Sequence, residues 1–114
     1  MKHSEDSMSI SVANYIRAQY PKVLFSHVPN GGKRSAREGA RFKRMGVRKG
    51  IPDFLIFETN DPHLRGLALE LKVKPNKPSP EQLEVIAELK RLKWVAEICY
   101  SFDETKKIID TYLS

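Results

Sequence analysis

A chain of 114 residues, 40% of them hydrophobic, has material for one core and reads as a single domain over residues 1–114. Its net charge of +6 favours an anionic partner, and its single cysteine, Cys99, excludes a disulfide framework or a cysteine zinc site. No signal peptide, lipidation motif or transmembrane run stands in the sequence, so no membrane role and a reducing, cytoplasmic setting are expected.

The first element is predicted from about Glu5 to Tyr20. Met8, Val12, Tyr15, Ile16 and Gln19 recur there at helical spacing, and Pro21 ends the run. Val23 to Val28 is rich in β-formers and predicts a first strand, closed by Pro29-Asn30-Gly31-Gly32. His27 is a candidate substrate contact if that strand lies beside the one opened by Asp53, and a packed histidine otherwise. Asn30 with its glycines either offers free amides to a phosphate or forms a plain turn.

A second helix follows from about Ser35 to Met45, and its charge is one-sided. Between Lys33 and Lys49 stand eight basic residues, Lys33, Arg34, Arg37, Arg41, Lys43, Arg44, Arg48 and Lys49, against one acid, Glu38. At about 100° per residue, Arg34, Arg37, Arg41 and Arg44 fall within one narrow arc, a stripe suited to tracking phosphates. A solvated helix face normally mixes signs, so this one favours nucleic acid.

Two apolar strands are predicted next, at about 53–58 and 66–73. A polar turn joins them, which makes antiparallel pairing the expectation. Pro52 lacks the amide a ladder needs, so Asp53 is the effective strand start. Alternation puts Leu67, Leu69 and Leu71 on one face and Glu70 and Lys72, with Ala68, on the other. Two carboxylates, Asp53 and Glu70, are hard oxygen ligands of the kind Mg²⁺ requires, with Mn²⁺ as a substitute. A lysine beside them can orient or deprotonate a water and offset charge developing on a phosphate. Each half alone is weak, since E-x-K is common in exposed strands and P-D in turns. Their combination with the basic helix points to phosphodiester hydrolysis.

Ser79 at the N-cap and Pro80 behind it start a third helix that runs to about Leu92. Gln82 lies one turn before Ile86 and has two readings. Its side chain turns inward to reach Lys72 or the attacking water, or it closes the capping box Ser79-x-x-Gln82. A strand at about Val95 to Ser101, with Cys99 packed inside it and Trp94 in the core at its start, and a last helix at about Asp103 to Leu113 complete the order α, β, α, β, β, α, β, α.

Pro52-Asp53 opening one strand and Glu70-Leu71-Lys72 in the next resemble the PD-(D/E)xK nuclease superfamily. With His27-Val28-Pro29-Asn30, the arginine-rich helix, Gly46-Val47-Arg48-Lys49-Gly50 and Gln82, the chain resembles more narrowly the VRR-NUC (virus-type replication-repair nuclease) family over about residues 24–113. The resemblance implies an α/β restriction-endonuclease-like fold, a four-stranded mixed sheet flanked by helices. It also implies a structure-specific deoxyribonuclease, a homodimer acting on four-way DNA junctions, of the standalone type often encoded by phages and so working in the host cytoplasm. By the same resemblance the main-chain carbonyl of Leu71 joins Asp53 and Glu70 as a metal ligand, Gln82 supports catalysis, and an acid of the first helix approaches the metal. Glu5 is the candidate for that acid and Asp6 the alternative. Branched or duplex DNA is the expected partner; a flap, nicking or restriction-type endonuclease, and a non-catalytic DNA-binding module of the same fold, are the alternatives.

Overall fold

The computed structural model describes residues 2–29 and 35–114, with side chains from Glu5 onward. Its elements are α1 (Lys2–Gln19), β1 (Phe25–His27), α2 (Ala36–Arg44), β2 (Phe54–Ile56), β3 (Gly66–Leu71), α3 (Pro80–Arg91), β4 (Trp94–Cys99) and α4 (Phe102–Leu113). The order is the one expected, with strands shorter than their apolar runs.

The strands form one mixed sheet in the order β1-β2-β3-β4. β1 pairs with β2 antiparallel across the connection that carries α2, and β2 pairs antiparallel with β3, whereas β3 and β4 are parallel. A parallel pair needs a crossover, and α3 supplies it. Leu67, Leu69 and Leu71 face α1 and α4 in a core with Met8, Val12, Ile16, Phe54, Ile56, Cys99 and Ile109. The opposite face carries a smaller cluster under α3, built from Ala68, Ile86 and Ala96. Four helices therefore flank a four-stranded mixed sheet among the described residues, an arrangement consistent with a PD-(D/E)xK-like fold. None of these helices is long and apolar enough to cross a membrane.

Three expectations need correction. Gln19 is exposed and does not extend the apolar stripe of α1, whose buried residues are Met8, Val12 and Ile16, with Ala13 and Tyr15 packed beside them. Trp94 is only half-buried: it lies against the smaller cluster and meets Phe57 edge-on at 6.1 Å. β2 begins at Phe54 rather than Asp53, because the Asp53 side chain takes over a hydrogen bond that the ladder would have made.

Candidate active site

The register of the central hairpin assembles the site. Phe54 pairs with Leu69, Leu55 with Ala68 and Ile56 with Leu67. The ladder ends at Phe54, and Asp53 and Pro52 before it follow the chain toward the end of β3 that carries Glu70 and Leu71. Leu71 donates its N–H to Asp53 Oδ2 at 2.7 Å, while the N–H of Lys72 goes the other way, to the Cys99 carbonyl of β4 at 2.8 Å. In a pleated strand the N–H and C=O of one residue face the same neighbour, so the Leu71 carbonyl also faces β2. There it meets Pro52, which has no N–H to give. The proline thus holds a carbonyl oxygen open beside two carboxylates, while the Leu71 side chain, 1% exposed on the far face, anchors the strand with about 1.5–3 kcal/mol of burial.

Glu70 is 2% exposed, and its two oxygens have different environments. Oε2 accepts from Gln82 Nε2 at 2.9 Å and lies 3.6 Å from Lys72 Nζ. Oε1 is buried with no hydrogen-bond partner among the described residues. An unsatisfied buried oxygen of this kind costs about 1–3 kcal/mol. Burial first, and then the Asp53 charge, push the Glu70 carboxyl up to about 8, while Lys72 pulls the other way. Burial likewise raises Asp53, against the lowering effect of the Leu71 N–H.

Gln82 does both things that its sequence position allows. Its Oε1 accepts from the Ser79 N–H at 2.8 Å and the Ser79 hydroxyl accepts from the Gln82 N–H at 3.1 Å, a complete capping box. With its oxygen turned back to the cap, the amide nitrogen can only point outward. It finds Glu70 rather than the expected Lys72. Gly50 sets this spacing. At φ +92, a conformation that side chains rarely adopt, it presses against the first turn of α3, where an added Cβ would stand 2.6 Å from the Glu81 carbonyl.

The other candidates are distributed as follows. Glu5 is close enough to raise the Asp53 pKa, but its carboxylate accepts from Asn76 Nδ2 at 3.2 Å. Asp6 is exposed. Among the described residues no three of His, Cys, Asp and Glu converge as a metal-binding group, so a cation here would have to add main-chain oxygen such as the Leu71 carbonyl to the two carboxylates. His27 stands opposite Phe54, ring centres 5.0 Å apart, on the far face from Asp53, although its charge still draws the Asp53 pKa down.

Arg37, Arg41, Lys43 and Arg44 are exposed on α2, no residue of which is buried. Gly46 at φ +96 ends this helix, with Gly46 N–H bonded to the Lys43 carbonyl and Val47 N–H to that of Phe42. Arg48 is not an open cation like these. It bridges Glu84 at 3.2 Å and Glu88 at 2.6 Å on α3, which spends its charge within the chain and ties its loop to the helix that carries Gln82. Lys49 is exposed. Asn30, Lys33 and Arg34 lie outside the described residues. Sequence reasoning missed the two glutamates that take Arg48; their i, i+4 spacing on α3 was the available signal.

A cavity of about 600 Å³ lined by Leu64, Val95, Lys107, Ile108 and Tyr112, among others, contains none of these residues. The carboxylate site lies instead where β2 begins and β3 ends, with Glu70 buried and Asp53 and Lys72 partly exposed. Its donors suit a hard divalent cation: the Asp53 carboxylate, the Glu70 carboxylate through its orphaned Oε1, and the Leu71 carbonyl would leave the rest of an octahedron to water and phosphate.

Residues 4–103 match the VRR-NUC domain family. A solved structure described as a VRR_NUC domain protein superposes with a TM-score of 0.80 at 29% identity, covering 95% of this chain and 86% of that one. No curated protein matches the chain.

Proposed function

The chain belongs to the VRR-NUC family, a family of nucleases, and from that premise we propose that it is a Mg²⁺-dependent endonuclease for branched DNA, resolving four-way junctions as a homodimer. The observation that carries the metal dependence is the buried Oε1 of Glu70, without a hydrogen-bond partner among the described residues, on a carboxyl whose pKa burial and then the neighbouring Asp53 charge raise. Asp53, Glu70 and the Leu71 carbonyl would hold the ion, with Mn²⁺ able to substitute. When bound, the cation polarises the scissile phosphate and lowers the pKa of a water. The chain's own groups do the rest. Gln82 and Lys72 hold Oε2 of Glu70, so that Oε1 stays aimed into the site. Lys72 Nζ orients the attacking water and offsets charge developing on the phosphate. Arg37, Arg41 and Arg44 on α2, with Lys49, hold the DNA by its backbone without reading sequence.

One centre per chain cuts one strand, so resolving a junction calls for a two-fold pair of chains. Light scattering is expected to give about twice the 13.1 kDa chain mass. A panel of labelled junctions, flaps, forks and linear duplexes should be cut in Mg²⁺ or Mn²⁺, junctions best, and left intact in chelator. A monomer that only nicks would move the reading to flap or nicking activity. Junction binding without cleavage in either metal would make the chain a non-catalytic DNA-binding module.

The raised Glu70 pKa gives a further expectation. A carboxyl whose folded pKa lies above its unfolded value stabilises the metal-free fold below the ordinary carboxylate range, and loses that contribution as pH rises through about 8. The cation takes only the ionised form. Metal binding at neutral pH should therefore release a proton, and the Mg²⁺-induced rise in Tm should grow between about pH 6 and 8. Calorimetry in two buffers of different ionisation enthalpy measures the proton; equal heats in both would count against Glu70 as the ligand.

A further inference from the structure

The segment linking β3 to α3 begins and ends in the candidate site, and the function proposed above leaves it without a task. It leaves the sheet at Lys72 and reaches α3 at Ser79, whose N–H is held by Gln82. From Lys72 to Ser79 it contains three lysines, two prolines and no acid. We propose that this loop is a second phosphate-binding surface, on which Lys74 and Lys77 grip the DNA backbone next to the scissile bond. The proposal rests on the reading of the chain as a DNA nuclease.

Three observations support it. First, the loop is set in shape before any ligand arrives. Asn76 N–H donates to the Val73 carbonyl at 2.9 Å, and the Asn76 side chain donates to Glu5 at 3.2 Å, which ties the loop to α1. A surface already ordered loses little entropy on binding.

Second, its charge is uncompensated. Lys74 and Lys77 are exposed, and among the described residues neither joins an ion pair, in contrast to Arg48, which two glutamates neutralise. Glu5 and Glu104 are turned to neutral donors at this end of the sheet, the Asn76 amide and the Tyr100 N–H. The Lys74 ammonium lies 6.0 Å from the centre of the Tyr100 ring, which holds it without cancelling it.

Third, the reach fits. Lys74 is two residues beyond Lys72, and Lys77 three beyond Lys74, and the turn that Asn76 N–H closes on the Val73 carbonyl keeps Lys74 and Lys77 within the roughly 10 Å of an extended chain. At about 3.4 Å of axis per nucleotide, that is no more than the rise of roughly three nucleotides of one strand. A strand whose phosphate sits at Lys72 and Glu70 therefore brings its neighbours over these lysines.

The test compares the parent protein with Lys74→Ala/Lys77→Ala and Lys74→Arg/Lys77→Arg, using a labelled four-way junction. Affinity is measured across a salt series in chelator, and turnover in Mg²⁺. The alanine pair should lower the slope of log affinity against log salt by about 1.8, two contacts at about 0.9 each. KM should rise several-fold with kcat within about twofold, and the arginine pair should restore both. A parent that binds and cuts, beside an alanine pair of unchanged slope and KM, overturns the inference and leaves the nuclease reading standing. A fall in kcat alone also overturns it, because the loop would then act by placing Lys72. A parent that neither binds nor cuts removes the nuclease reading and the inference with it.

Discussion

Glu70→Gln is expected to abolish cleavage, by at least about 10²–10³-fold, while leaving DNA affinity intact or higher. The substitution removes the ionisable group that a cation would take, at a buried oxygen with no partner among the described residues, and leaves α2 and its arginines untouched. Because burial already favours the neutral carboxyl in the metal-free fold, the neutral amide should melt no lower than the parent without metal. It should lose the Tm rise that Mg²⁺ confers and the heat of metal binding in a calorimetric titration. Asp53→Asn should behave alike in cleavage, since its amide oxygen can still accept the Leu71 N–H that holds the hairpin end together. Near-normal cutting by either variant in Mg²⁺ would mean that the site has been misplaced.

Lys72→Ala is the second large effect, and it separates the roles of the neighbouring groups. Lys72 Nζ lies 3.6 Å from the Glu70 oxygen that Gln82 also holds, so its removal leaves the oxygens of the metal site in place. Turnover should fall by at least about 10²-fold while metal-binding heat persists and KM changes little, the pattern of a group that acts in the transition state rather than in binding. Loss of metal binding together with activity would instead make the lysine a support of Glu70. Glu70 has little freedom to collapse, because Gln82 is fixed by its capping box independently of Lys72.

Much of this arrangement was legible before any coordinates. The eight elements and their order follow from local features: the stripe of Met8, Val12 and Ile16, the Ser79-Pro80 start, and the alternation of Leu67, Leu69 and Leu71. The pairing of Asp53 with Glu70 was legible for the same reason. A short polar turn between two apolar runs permits one sense of pairing, and a period of two sends Glu70 and Lys72 to the face away from the leucines.

What local pattern could not decide was which partner each polar atom takes. Gln82 could be read as a cap or as a site residue. The structure makes it both, because the cap takes the amide oxygen and leaves the nitrogen to donate to Glu70. Arg48 looked like one more cation of a basic run until the crossover helix brought Glu84 and Glu88 to it. The placement of the β3–α3 loop also came only from the structure, which holds one end through Lys72 at Glu70 and the other through Ser79 at Gln82. Secondary structure and facing are set by repeats within a few residues, which the sequence by itself determines. Hydrogen-bond partners and charge compensation depend on contacts between different elements, such as Gln82 with Glu70 and Arg48 with Glu84, and only the tertiary structure could decide those.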